Sequence, residues 1–388
     1  MLALKFLFWI SAFSLFHSYV LYPVLLQILS FRKKQNELIY VRNENLPAVS
    51  ILIAAHNEEK VISEKIESII KTNYPKEKIE VFIGSDNSSD RSNEIVRGYC
   101  NLFSQIHLEE FKSRSGKVVI INELFKKATG AILIFTDANV IFEENTIFEL
   151  VKHFKNEKIA LTDSNMINKG LKKEGISVQE KTYIEAEVAI KNAESRLWGC
   201  MMGPFGGCYA LRKNFFSEIP AHFLVDDFYI NMKVLEQGGR CINEINARVY
   251  EDVSNDLKEE FRRKVRIAAG NFQNLFTFFS LLFKFNIISF CFFSHKVLRW
   301  LGPIFMIFAY FSSLLLLHSE FYKWIFIVQN VFYILPLLDY LLKKINLHFS
   351  MLRFITHLLA MNLALFAGMI KYFRGIDSSV WEPTQRHQ

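Results

Sequence analysis

The sequence predicts an α/β protein, a doubly wound and mostly parallel sheet, with apolar helices attached before and after it. Three observations carry this. Between residues 49 and 136, apolar runs of strand length alternate with amphipathic stretches of helical period. Polar and charged residues collect directly after those runs, where ligands bind in open α/β sheets. An apolar run opens the chain and several more close it, giving 51% hydrophobic residues, 38 Phe and a mean hydropathy of +0.15 in a chain still 22% charged.

Residues 2–31 are almost continuously apolar, Lys5 being the only fixed charge, and Arg32-Lys33-Lys34 follow at once. That length suffices for a membrane helix. With no small-x-small cleavage site before the basic cluster, it reads as a signal anchor rather than a cleaved signal peptide. The basic side, and with it the following domain, is expected in the cytoplasm. A polar linker (35–47) leads to residues 49–55, a buried parallel strand. Residues 58–71 carry Val61, Ile62, Ile66, Ile69 and Ile70 on one helical stripe. A second strand covers 80–84, and Asp86-Asn87-Ser88-Ser89-Asp90 is a turn capping the next helix. A further helix covers 116–128, and the strand 131–136 delivers Asp137-Ala138-Asn139. Repeated units in this order imply parallel strands with right-handed crossovers.

Beyond them, residues 174–195 form a long polar helix, followed by Gly203-Pro204-Phe205-Gly206-Gly207. Residues 226–236 are another helix, ended by Gly238-Gly239. From about Phe272 the chain turns aromatic and apolar. Residues 274–293, broken by Lys284 and Asn286, suit an interfacial amphipathic helix or a span. Clearer spans follow at about 297–317, 324–342 and 351–372, with Lys343-Lys344 marking a cytoplasmic connection. The expected domains are an anchor (1–31), a globular domain (45–271), an interfacial or membrane helix (272–295), membrane helices (296–373) and a tail (374–388).

The net charge of +7 and pI of about 9.0 do not require nucleic acid. The basic residues are dispersed or flank apolar stretches, as at the cytoplasmic ends of membrane helices. A lipid bilayer is the expected partner. Five scattered cysteines without a C-x-x-C pair suggest neither a zinc site nor a disulfide framework.

The candidate chemistry lies on one rim of the sheet: His56-Asn57-Glu58-Glu59 after the first strand, Asp86 after the second, Gly116-Lys117 ahead of a helix, and Asp137 with Asn139 after the strand 131–136. Each has an ordinary reading. Asn57, Asp86 and Asp137 can cap helices, and Lys117 can be a solvated charge. Together they offer what a nucleoside diphosphate needs: acceptors for base and ribose, a cation near phosphate, and a carboxylate for a metal. With no Walker A sequence and no G-x-G-x-x-G, P-loop and dinucleotide enzymes do not fit. Asp226-Asp227 at a helix start suit the helix dipole or supply a general base. Arg262-Arg263-Lys264-Val265-Arg266 is either an anchor to anionic lipid or a group that neutralises a leaving diphosphate or places an acceptor.

These residues, in this order, resemble the membrane-embedded inverting family-2 glycosyltransferases of GT-A fold, whose members make cellulose, hyaluronan, chitin and poly-N-acetylglucosamine. The resemblance covers about residues 45–300 and, more loosely, the C-terminal helices and tail. It implies that Asn57 and Glu58 border the nucleotide, that Asp86 contacts the base, and that Lys117, with Asn122 five residues on, lies near the diphosphate. Asp137-Ala138-Asn139 occupies the D-x-D position that holds Mg2+ or Mn2+, with Asn139 in place of the second acid. Gly206-Gly207-Cys208-Tyr209-Ala210-Leu211-Arg212 resembles the segment lining the acceptor site. Asp226-Asp227 stands where the family has its E-D pair, making Asp227 the base. The Q-x-x-R-W of processive members becomes Arg263-Lys264-Val265-Arg266-Ile267, which keeps the arginine and loses the tryptophan. Val380-Trp381-Glu382-Pro383-Thr384-Gln385-Arg386 resembles a W-x-x-T-x-R ending. The resemblance therefore implies inverting transfer from a nucleotide-sugar, a UDP-sugar first, to a glycan or lipid acceptor at a bacterial inner membrane. Single-sugar transfer to a lipid and a non-catalytic sugar-nucleotide-binding scaffold are the alternatives.

Overall fold

The computed structural model describes residues 1–169, 177–252, 257–347, 349–376, 378 and 380, so the W-x-x-T-x-R ending at 381–386 lies outside them. Contacts divide the chain into two units. One comprises Leu29–Gly170, Glu187–Val253 and Ile376–Gln388; the other comprises Met1–Ile28, Leu171–Ala186 and Ser254–Gly375.

The first unit is built on one eight-stranded sheet. Its strands are β1 (Val49–Ala55), β2 (Ile79–Asp86), β3 (Ile106–Phe111), β4 (Ile132–Thr136), β5 (Ile141–Phe142), β6 (Ile159–Lys169), β7 (Cys208–Arg212) and β8 (Arg240–Asp252), in the order β3-β2-β1-β4-β7-β6-β8-β5. The four strands β3, β2, β1 and β4 are parallel. Every residue of β1 is buried, as expected of a strand covered on both faces. Helices Ile62–Ile70, Ser92–Leu102 and Lys117–Lys127 alternate with these strands. Ile51, Ile53, Ile62, Ile66 and Ile134 are almost fully enclosed in one core, each worth about 2 kcal/mol of transfer free energy.

Beyond β4 the plain alternation stops. β7 enters antiparallel between β4 and β6, and β8 runs parallel to β6 across two register shifts. The sheet is therefore mixed in its second half. The antiparallel entry of β7 brings the segment just before it, Gly206-Gly207, against the end of β4.

In the other unit, Leu2–Ser30, Glu320–Lys344 and Ser350–Arg374 are long and apolar enough to cross a membrane. Ile287–Trp300 and Gly302–Leu315 pass the same test only as a pair bent by 61°. Residues 274–293 are not one helix. Helix Leu257–Thr277 ends among them, a short 3-10 turn Phe279–Phe283 follows, and a new helix starts at Ile287. The bend falls at Leu301-Gly302-Pro303, where Pro303 has no N–H to continue the preceding helix.

Candidate active site

Because β1, β2 and β4 run in parallel, Ala55, Asp86 and Thr136 end on one edge of the sheet. The loops after β1 and β2 are stitched together there. Asn57 and Asn87 both take left-handed backbone, with φ of 53° and 54°, a conformation asparagine tolerates better than most residues. Asn57 accepts from the Ser89 N–H at 2.8 Å, the Glu58 N–H donates to Ser92 Oγ at 2.8 Å, and the Glu59 N–H donates to Asp90 Oδ2 at 3.0 Å. Neither Asn57 nor Asp86 caps a helix, since those helices begin at Ile62 and Ser92. Asp86 is fully enclosed. It accepts from the backbone N–H groups of Ser115 (2.6 Å) and Gly116 (3.1 Å) and from Arg114 Nε (3.1 Å). Gly116 makes this approach at φ 87°, and helix Lys117–Lys127 starts immediately after it.

Lys117 is thereby aimed along the rim. Its ammonium lies 2.8 Å from Asp137 Oδ1 and 3.8 Å from Asp226 Oδ2. Burial opposes the charge, but the carboxylates of Asp137, Asp226 and Asp227 outweigh it and hold Lys117 charged well above its ordinary range. Asp137 does not cap a helix: the chain turns after it into β5 and forms no helix before Thr146. Its N–H donates to the Gly207 carbonyl at 3.1 Å, and Thr136 Oγ1 donates to the same oxygen at 2.9 Å. Asn139 Nδ2 donates to Glu251 Oε1 at 3.2 Å.

Asp226 and Asp227 open helix Asp226–Glu236. Burial and the adjacent Asp226 push the Asp227 carboxyl up to about 7, against the pull of Lys117. A Cβ at Gly206 would stand 2.8 Å from Asp227 Oδ2, so only glycine lets the backbone come this near the acid. At Gly207 a Cβ would run into Met166 and Val140. One rim thus gathers a cation, Lys117, and three acids, Asp137, Asp226 and Asp227, beside a glycine pair.

The segment 50–219 matches the sequence family described as "Glycosyl transferase family 2". That segment therefore resembles a family-2 glycosyltransferase domain. Among curated relatives, a beta-monoglucosyldiacylglycerol synthase of Trichormus variabilis is 30% identical over 117 residues, 30% of this chain and 25% of the relative. A poly-beta-1,6-N-acetyl-D-glucosamine synthase of Staphylococcus aureus is 23% identical over 246 residues, 62% of this chain and 58% of the relative. The chain thus spans only part of the relatives it matches. The solved mannosyltransferase PcManGT of Pyrobaculum calidifontis, in complex with GDP-Man and Mn2+, superposes with a TM-score of 0.73 over 95% of this chain and 99% of its own, at 18% identity. That likeness shows the fold, which is GT-A.

Other expected residues make contacts of their own. Asn122 clasps Ile219 in both directions, donating to its carbonyl at 2.8 Å and accepting its N–H at 3.1 Å, and so ties the helix carrying Lys117 to the chain before Asp226. Arg263 and Arg266 belong to helix Leu257–Thr277 in the other unit, where Arg263 lies 3.4 Å from Glu260. Three features of the sheet-bearing unit gave no sign in the sequence as read. The buried Asp163–Lys191 pair (2.6 Å) holds the Phe205 N–H ahead of Gly206. Arg114 covers Asp86. Lys65 is enclosed behind the Asp137 turn, and burial pulls its amine down to about 7. Lys65 stands three residues after Ile62 and one before Ile66, and that helical spacing was the available signal.

Proposed function

We propose that this protein transfers a sugar from a nucleotide-sugar to a glycan or lipid acceptor at a membrane, with inversion and with a divalent metal. The observation that carries the proposal is Asp227, an acid tuned to about 7 by burial and Asp226, on the same rim as the Lys117–Asp137 pair. A carboxylate so tuned is suited to general-base work near neutral pH. The acceptor hydroxyl oxygen attacks the anomeric carbon as its proton passes to Asp227. The bond from that carbon to the diphosphate oxygen breaks, and the nucleoside diphosphate leaves with the electron pair. Attack from the face opposite the leaving group inverts the anomeric centre, so an α-linked donor gives a β-linked product. Lys117 meets the charge that grows on the leaving diphosphate.

Asp137 and Asn139 fit a hard cation. Both offer oxygen donors, as Mg2+ and Mn2+ prefer, and the Glu251 contact leaves the amide oxygen of Asn139 as its free end. Among the described residues no three His, Cys, Asp or Glu side chains gather into a metal site, so phosphate and water oxygens would complete the shell. Such an ion supplies positive charge against the diphosphate. Asn57, Glu58 and Asp86 follow the strand ends and would border the nucleoside, and Gly206 and Gly207 would line the acceptor site.

The test is release of nucleoside diphosphate by the purified chain across a panel of UDP- and GDP-sugars, with and without EDTA. Donor consumption that stops with EDTA and in Asp227→Asn supports the reading. No metal-dependent consumption of any donor leaves the binding-scaffold reading in its place. Ile267, where processive relatives carry tryptophan, favours addition of a single sugar to a lipid, and product length from a labelled donor decides between the two.

A further inference from the structure

We propose that Lys65 is a positioning residue that fixes the metal-binding turn Asp137-Ala138-Asn139 from behind, by holding the residue on each side of it. The inference rests on the functional reading above, since it concerns how the turn presents itself to metal and donor. Lys65 is fully enclosed and faces inward from helix Ile62–Ile70 between Ile62, Ile66 and Ile69. A buried lysine normally pairs with a carboxylate, yet among the described residues its ammonium binds none. It donates to Thr136 Oγ1 at 2.8 Å and to the Val140 carbonyl, and it sits 3.7 Å above the Phe142 ring.

Thr136 and Val140 bracket the turn. Thr136 passes the constraint on, because its hydroxyl donates to the Gly207 carbonyl that also receives the Asp137 N–H. One amine therefore ties helix Ile62–Ile70, the end of β4 and the Gly206-Gly207 segment into one frame around Asp137. Stability alone gives no reason for a lysine here, since an apolar side chain of similar length would fill the site without burying a charge. What the amine adds is direction: two fixed hydrogen bonds that methionine cannot make.

The test uses the full chain in detergent micelles and measures bound Mn2+ by electron paramagnetic resonance with UDP, and in a parallel arm with GDP. Lys65→Met is expected to keep its melting temperature or gain, while its Mn2+ dissociation constant in the presence of nucleotide rises about tenfold or more. Thr136→Val, which loses the contacts of the hydroxyl, is expected to weaken Mn2+ in the same direction, and Thr136→Ser, which keeps them, to rescue it. If Lys65→Met fails to fold, the threonine pair decides alone. Unchanged Mn2+ binding in Lys65→Met, or equal loss in Thr136→Ser and Thr136→Val, overturns the positioning role. Wild-type protein that binds Mn2+ with neither nucleotide overturns the functional reading, and this inference with it.

Discussion

Asp227 joins catalysis to stability through one proton. As a base it must be ionised, so kcat/KM is expected to rise with pH and level off above about 7. The sign for folding is the opposite. A carboxyl raised from 3.8 to about 7 binds its proton more tightly folded than unfolded, so the folded state loses stability as pH climbs through that window. Asp227→Asn is therefore expected to abolish turnover, keep donor binding, and melt higher than wild type by more at pH 8 than at pH 5. A pH–rate profile and paired melting curves check this, and full turnover in the variant would remove Asp227 as the base. Asn139 gives a second test. Its amide donates to Glu251, which turns the amide oxygen away from β8. Restoring the family's acid by Asn139→Asp would set two carboxylates against each other, so Mn2+ binding is expected to weaken. Adding Glu251→Gln should recover it, with a coupling of about 1 kcal/mol or more. Tighter binding in Asn139→Asp alone would show that Glu251 does not govern the position.

At the scale of elements, the helices that carry Lys117 and Asp227 are set by contacts of different kinds, and substitutions should separate them. Asn122→Ala strips the partners from the Ile219 N–H and carbonyl, buried groups whose loss costs about 2 kcal/mol or more. It is expected to lower the melting temperature while the surviving folded protein keeps its donor affinity. Gly206→Ala places a methyl 2.8 Å from Asp227 Oδ2 and should cut kcat with little change in melting temperature. The parallel half of the sheet was legible because β1, β2 and β4, buried on both faces, read as apolar runs. β3 was not, since this half-exposed edge strand carries Glu109 and Glu110. Nor were β6 and β8, whose buried Asp163, Asn243 and Glu244 satisfy one another or nearby groups across the fold and look like loop in sequence. The rim residues were legible because they follow strands directly. Lys65 and the Asp163–Lys191 pair were not, because a lysine's type gives no sign of burial, and for Lys65 only its helical spacing did.

At the scale of the molecule, packing within the helical unit favours four membrane crossings over three, and labelling can test that. The bent pair Ile287–Trp300 and Gly302–Leu315 is either a broken span or a loop that returns to the side it left. Near its start, Phe290 and His295 lie 5.7 Å and 6.2 Å from the Tyr22 ring. At its far end, Ala309 and Leu316 pack in one cluster with Phe8, and Tyr322 meets Phe8 at 5.2 Å. Phe8 and Tyr22 are separated by roughly 20 Å along a nearly continuous helix. The pair therefore advances along the first helix by most of a bilayer core, whereas a returning loop would end at its starting depth. A broken span puts residues 316–319 on the side of Met1. Glu320–Lys344 then runs back, leaving Lys343-Lys344 on the side where the first helix ends, as the distribution of basic residues favours. Single cysteines test this in a Cys100→Ser background, the other native cysteines being buried. With a membrane-impermeant maleimide, His318→Cys is expected to label in intact cells and Lys343→Cys only after permeabilisation. The reverse pattern would show that the bent pair turns back, leaving three crossings rather than four.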